Sequence, residues 1–283
     1  MKNIPSAAQP ELTLTNAALR KSSVLVLLVA LLAFTSVAGA TTYTAANVKG
    51  SYSVLMNGYS GAASETAWLG IFNFDGVSAV SGSITIIDSG SLSVFPVPSG
   101  STYSVSPNGS GSITLNTSGG GPMAFVLNSI SASIAKSLQL VLIDTSKNDA
   151  HVRAGTATLI NLSAAATAAK LKGTYGVLLN WWTTATQQGA VGTIAFDGKS
   201  KVTISYTDQQ AEQTATTVTG SGTYSVNSDG SGSLSLTLSN ATTMQLDFVL
   251  NSITGTSVAK GLQLMDVTSP SSTSVDTGTA VYE

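Results

Sequence analysis

Residues Gly222–Leu236, GTYSVNSDGSGSLSL, have a counterpart in the same chain at Ser101–Leu115, STYSVSPNGSGSITL. In both, apolar residues alternate with Ser or Thr before and after a short polar bend. Period two with one apolar face is the pattern of a half-buried antiparallel strand. Each bend holds Asp-Gly or Asn-Gly (Asp229-Gly230, Asn108-Gly109), pairs favoured in type I′ hairpin turns because both positions there need positive φ. An ion loop is the competing reading. Calcium takes about six to eight oxygens, usually with several carboxylates. NSDGSG offers one carboxylate, and in the counterpart Ser106 replaces Asn227 and Asn108 replaces Asp229, leaving none. A phosphate loop needs a helix N-terminus behind its glycines, whereas a strand pattern follows here. The stretch reads as strand, turn, strand.

The correspondence runs through the chain. KGSY at Lys49–Tyr52 returns as KGTY at Lys172–Tyr175, and FDG at Phe74–Gly76 returns at Phe196–Gly198. FVLNSI at Phe125–Ile130 is identical at Phe248–Ile253, AKSLQL from Ala135 matches AKGLQL from Ala259, and GTA at Gly155–Ala157 recurs at Gly278–Ala280. The offset stays between 121 and 124. The sequence therefore predicts two copies of one domain-sized unit, 45–160 and 168–283. The Ala-rich segment 161–170, NLSAAATAAK, is read as a linker ending in a short helical or 3₁₀ turn before the first strand, and TAANVKG plays that part in the first copy.

Alternation extends well beyond the opening stretch. Val202, Ile204 and Tyr206 alternate with Thr203 and Ser205, and Met244, Leu246 and Phe248 alternate with Gln245 and Asp247. About eight strands are expected in the second copy, starting near Gly173, Gly192, Val202, Thr216, Gly232, Met244, Gly261 and Gly278. The expected fold class is all-β: two tandem antiparallel eight-stranded meander barrels, with a sandwich as second choice. Closure favours the barrel, because it removes strand edges that so few charges leave unprotected. A membrane barrel of sixteen strands would carry aromatic girdles, and aromatics here are 6%.

Composition bounds the function. Of 283 residues 9% are charged, 43% are hydrophobic and none is Cys. Disulfides and thiolate metal sites are excluded, and the core must carry stability. Arg20 and Lys21 precede an apolar run from Val24 to about Phe34, and small residues lead to Ala38-Gly39-Ala40. That is the order of a secretory signal, residues 1–40, cleaved after Ala40; an uncleaved anchor is the rival. Cleavage removes Lys2, Arg20, Lys21 and Glu11, leaving nine basic and thirteen acidic residues. An acidic balance argues against nucleic acid. After cleavage no membrane span remains, and the expected location is secreted, periplasmic or cell surface.

Two resemblances follow from these motifs. The chain resembles uncharacterised secreted bacterial β-repeat proteins built from KGTY…FDG…GTYSV…DGxG units, a likeness that implies no known activity. Gly50-Ser51-Tyr52 and Gly173-Thr174-Tyr175 also resemble the Gly-x-Trp opening of the calycin barrels, the lipocalins and avidins, with Tyr in place of Trp. That likeness implies a calycin-like barrel and no particular ligand.

Few residues suggest chemistry. His151, the single His, lies beside Asp149 and Arg153, but no His stands in the second copy and no Gly-x-Ser-x-Gly elbow accompanies it. The acids common to both copies, Asp75 and Asp197, sit in FDG turns; Asp88, Asp144, Asp208, Glu212, Asp247 and Asp266 lack acidic counterparts. Asp247 alternates with core residues and should face outward. No catalytic residue, metal site or cofactor is assigned. Aromatics are the better lead. Trp181 and Trp182, with Asn180 and Tyr206, are candidates to line one barrel mouth, and Met56, Tyr59 and Trp68 the other, as small apolar ligands require. The rival reading gives these residues to barrel filling and domain packing. Three functions stay open: an exported non-enzymatic protein with a structural or surface-interaction role and an unidentified partner, such as a cell-surface component; a binder of a small apolar ligand in each barrel; or a hydrolase using acids in a cleft.

Overall fold

The computed structural model describes residues 42–60, 64–88, 90–117, 122–144, 151–162, 165–183, 187–210, 214–253, 258–268 and 274–283. The expected signal segment lies outside them. The protein is all-β, and its described strands fall into two antiparallel sheets.

The second half forms a closed barrel of β10 (Lys172–Thr183), β11 (Gln187–Asp197), β12 (Lys201–Gln210), β13 (Thr216–Val226), β14 (Ser231–Leu238), β15 (Thr243–Asn251), β16 (Gly261–Asp266) and β17 (Ser274–Tyr282). Neighbours in sequence are neighbours in the sheet, and β10 closes on β17. The expected meander is therefore present, with eight strands. Alternation explains it residue by residue: in β14 Leu234, Leu236 and Leu238 are buried while Ser233, Ser235 and Thr237 are exposed.

The first half departs from the expected count. It is a curled nine-stranded sheet of β1 (Lys49–Ser60), β2 (Ser64–Asp75), β3 (Val80–Asp88), β4 (Ser91–Pro96), β5 (Thr102–Val105), β6 (Ser110–Thr114), β7 (Met123–Ser131), β8 (Ile134–Asp144) and β9 (His151–Leu159). Its order is β4-β3-β2-β1-β9-β8-β7-β6-β5, so β4 and β5 are the two edges. The reason lies in PVPSG, Pro96–Gly100. Pro cannot donate to a ladder, and Gly100 takes φ +81°. From the isolated bridge Ala79–Thr102 to the pair Ser83–Pro96, one strand advances four residues and the other six. Those two extra residues split what is a single strand, β13, in the barrel. The bridge ties the start of β5 to the residues just ahead of β3: Tyr103 N–H donates to the Ser78 carbonyl at 2.7 Å.

The two halves pack into one compact unit spanning Thr42–Glu283. The inner face of the first sheet holds Tyr52, Phe72, Phe74, Phe125 and Leu138, among others. The barrel interior holds Tyr175, Phe196, Leu236, Phe248 and Leu264. On the outer face of β2 and β3, Ala67, Leu69, Ile71 and Ile87 join the barrel's cluster, as do Val249 and Met265 on the barrel's outer wall. This explains why every residue of β16 from Gly261 to Met265 is buried: one face lines the barrel and the other meets the first sheet. Polar groups at this contact are partly matched. Gln263 Nε2 donates to Thr156 Oγ1 at 3.2 Å, and the Ile253 N–H to the Ile160 carbonyl at 3.1 Å.

Candidate functional site

The residues that recur in both halves serve the fold. Tyr52 and Tyr175, from KGSY and KGTY, are fully buried and donate to the carbonyls of Ala135 and Ala259 at 2.7 and 2.9 Å. Each thereby ties the first strand of its half to the AK-x-LQL segment. Tyr103 and Tyr224, from TYSV, donate to the carbonyls of Val48 and Leu171, both at 3.0 Å. They fasten the expected 3₁₀ turns, Ala45–Asn47 and Ala168–Lys170, against one end of each sheet. Burial holds all four hydroxyls above the usual phenol range; those of Tyr103 and Tyr224 are pushed up to about 12. Asp75 Oδ1 accepts the N–H groups of Val77, Ser78 and Ala79, and Asp197 Oδ1 those of Lys199, Ser200 and Lys201. These bonds hold both carboxyls below the ordinary range. The two acids shared by both halves are turn staples.

The bend at Asp229-Gly230 corrects one expectation. Gly230 N–H returns to the Asn227 carbonyl at 3.0 Å, and only Gly230, at +93°, has positive φ. This is a type I turn followed by a left-handed Gly, the three-residue hairpin loop, and not type I′. Asp229 Oδ1 accepts from Ser231 N and Oγ at 3.0 and 2.7 Å. Asn108 Oδ1 does the same for Ser110 at 3.0 and 2.7 Å. An amide oxygen thus replaces the carboxylate without changing the turn. The second glycine has a different task. An added Cβ at Gly232 would lie 2.7 Å from Phe248 Cε2, and closer still to Cζ and to the Ser225 carbonyl oxygen. Gly111 makes the same room for Phe125. The second glycine of GSG and the Phe of FVLNSI are one cross-strand pair in each half.

The residues expected to line ligand sites fall on different faces. Met56 and Trp68 are paired across β1 and β2 and point into the first sheet. Tyr59, 43% exposed, lies on the opposite phase of β1. Tyr206 is inside the barrel, whereas Asn180 shares the outward phase of β10 with exposed Leu178. The backbones of Trp181 and Trp182 pair with Gln188 and Gln187; their side chains, that of His151, and all of Asp149 and Glu212 lie outside the described residues.

Two polar groupings emerge that the sequence reading did not single out. At one end of the first sheet's interior, buried Arg153 lies over the Trp68 ring at 5.1 Å, donates from Nε to Thr66 Oγ1 at 3.2 Å, and meets Asp88 at 3.5 Å. Trp68 Nε1 is buried there with no hydrogen-bond partner among the described residues. In the barrel, Tyr206 is pushed up to about 12, first by burial and then by the charges of Asp208 and Asp266. Burial raises the Asp266 carboxyl as well, against the opposing Thr268 N–H bond of 2.7 Å. The signal for both groupings was strand phase: Arg153 is in step with Gly155 and Ala157, Asp208 with Ile204 and Tyr206, and Asp266 with Leu262 and Leu264.

A third feature is a groove of about 410 Å³ between the halves. Leu69, Thr85 and Val94 stand on one wall, and Asp229, Ser231, Ser233 and Asp247 on the other. Asp247 faces outward as expected, half-buried, and burial alone raises its carboxyl. Among the described residues no group of three or more His, Cys, Asp or Glu side chains is placed to hold a metal.

No protein-family model matches the chain, and no curated protein matches it. Among solved structures it is similar to kievitone hydratase from Nectria haematococca, at 8% identity and TM-score 0.31, covering 89% of this chain and 94% of that one. It is also similar to a protein of unknown function from the DUF3598 family of Nostoc punctiforme PCC 73102, at 13% identity and TM-score 0.26, covering 84% and 97%. A third similarity is to CghA, at 10% identity and TM-score 0.27, covering 83% and 88%. Scores this low carry no argument about architecture or activity.

Proposed function

We propose that this chain is an exported, non-enzymatic β-protein of two domains with a structural or surface-interaction role. The observation that carries the reading is the packing of the described side chains in the barrel interior. Tyr175, Phe196, Leu236, Leu246, Phe248 and Leu264 are each 4% exposed or less and belong to one cluster. The recurring tyrosines and aspartates support it, because their polar atoms are committed to internal carbonyls and turn amides. Residues 1–40 direct export and are removed after Ala40.

The finer architecture belongs to the same proposal. The first half is a second calycin-like barrel whose fourth strand is split into β4 and β5, and the halves arose by duplication. The Ala79–Thr102 bridge supports this, since it matches the Lys201–Thr223 pair of the barrel position for position. Native mass spectrometry of protein purified from its own host tests the reading. The expected result is the mass of residues 41–283 with no bound small molecule; a stoichiometric organic adduct would overturn it.

A second reading, binding of a small ligand at the interior end of the first sheet, has one observation behind it: Trp68 Nε1, buried beside Arg153 and with no hydrogen-bond partner of its own among the described residues. An adduct lost on Trp68→Phe, with the fold retained, would establish it in place of the first.

A further inference from the structure

Among the described residues β4 is an edge strand, paired with β3 on one side only. Val97 N–H donates to the Gly82 carbonyl at 2.8 Å. By the alternation of an antiparallel ladder, Ser91, Ser93 and Phe95 then direct their N–H and C=O groups to β3. Leu92 and Val94 direct theirs away from it. Pro96 falls on the outward phase, so its missing N–H costs no bond to β3. Natural edges are usually blunted by charge, Lys above all. This one, SLSVFP, has no charge and exposes Leu92, Val94 and Phe95 at 44%, 67% and 51%.

The outer face beside this edge is an ordered surface. Register places Leu69, Thr85 and Val94 in one cross-strand row. That row lines one wall of the groove between the halves. A strand added to β4 would lie about 4.8 Å beyond it, and its alternate side chains would continue the row into the groove. The facing wall is acidic and hydroxylated. The Asp247 carboxylate makes no hydrogen bond or ion pair among the described residues, and burial already disfavours its charge. The charge on Asp229 is surplus to its turn, since Asn108 builds the same turn without one.

We propose that β4 is the docking edge for an extended partner peptide, which adds to the sheet as a tenth strand and places a Lys or Arg side chain in the groove against Asp247 and Asp229. Main-chain bonds to Leu92 and Val94 supply affinity, and the cation supplies selectivity, as in other cases of strand addition. The inference rests on the surface-interaction reading and gives that role a surface and a partner chemistry.

The test uses the full chain and two synthetic octapeptides of alternating serine and valine, one with a central lysine and one with glutamate there. Affinity is measured by fluorescence anisotropy, and protection of individual amides by hydrogen exchange. The lysine peptide is expected to slow exchange at Leu92 and Val94 and to bind at least about tenfold more tightly than the glutamate peptide, the equivalent of one charge-assisted contact. Val94→Pro removes an outward N–H and no bond to β3, so it is expected to abolish binding while the thermal midpoint holds. Asp247→Asn, which leaves the backbone untouched, is expected to weaken lysine-peptide binding about tenfold and, by removing a like charge, to strengthen binding of the glutamate peptide. Equal affinity for the two peptides, or full lysine-peptide binding by either variant, would overturn the proposal. So would a dimer of the chain that Val94→Pro converts to monomer, because the edge would then belong to a second copy. The broader reading fails on a different result, a co-purifying small molecule.

Discussion

Gly232 and Phe248 offer the sharpest test of why the recurring motifs recur. Gly232 sits opposite Phe248 on β14 and β15, and the ring, 1% exposed, occupies the space a Cβ would need. Gly232→Ala overpacks this site, at a cost of about 1–3 kcal/mol. A gain of about 0.4–1 kcal/mol from a less flexible unfolded chain offsets part of that. Phe248→Leu removes the ring atoms that cause the conflict and, with the small cavity it leaves, costs about 1–3 kcal/mol alone. In the double variant the new methyl enters vacated space, although its conflict with the Ser225 carbonyl remains. The two changes should therefore be less than additive, with a coupling of about 1–2 kcal/mol. Urea unfolding followed by tryptophan fluorescence measures each corner of the cycle. Energies that add within about 0.5 kcal/mol, the range for independent sites, would refute the pairing. Gly111 and Phe125 should give a coupling of the same sign, because the same ring fills the same gap.

Three further outcomes are expected. Tyr175→Phe leaves the Ala259 carbonyl without its buried donor and should cost about 1–3 kcal/mol, read as a lower urea midpoint at unchanged slope. The raised phenols of Tyr52, Tyr103, Tyr175, Tyr206 and Tyr224 favour the neutral form in the folded state. Their contribution is intact below about pH 10, the unfolded value, and is lost as pH rises through the folded values; ultraviolet difference absorbance should show these five ionising together with alkaline unfolding, and reversible titration at ordinary values would contradict this. Asp266 has a folded value raised by burial, so its protonated form is the favoured one, and that advantage is lost as pH rises. Asp266→Asn keeps an acceptor for the Thr268 N–H and should be at least as stable as the parent near pH 7, with the difference shrinking in acid; a marked loss at pH 7 would show the charge itself is needed.

Much of the fold was legible in the sequence because strands declare themselves by phase. Leu234, Leu236 and Leu238 could lie on only one face, and eight such segments in order made a meander. The split of one strand into β4 and β5 was written in Pro96, Pro98 and Gly100, but its register cost shows only against the unbroken β13. The turn type was misjudged because Asp-Gly satisfies two hairpin geometries, and the Asp side chain bonding Ser231 selects between them. Arg153, Asp208 and Asp266 were visible as charges in core phase; Arg153 was read only as a neighbour of His151 and the two acids only for counterparts in the other half, and phase carried the information instead. The groove was not legible at all, since its walls come from residues more than a hundred positions apart, brought together by packing of one sheet's outer face on the other's.

The central claim is that the chain's recurring residues build and fill its own core, leaving its surface to meet a partner. A crystal structure of the protein isolated from its own host tests this most directly, through the electron density along the barrel axis between Tyr206, Leu236, Phe248 and Leu264. Side chains in van der Waals contact, with no density other than protein, are the expected result. A continuous non-protein feature among those residues would contradict the account and make the barrel a container.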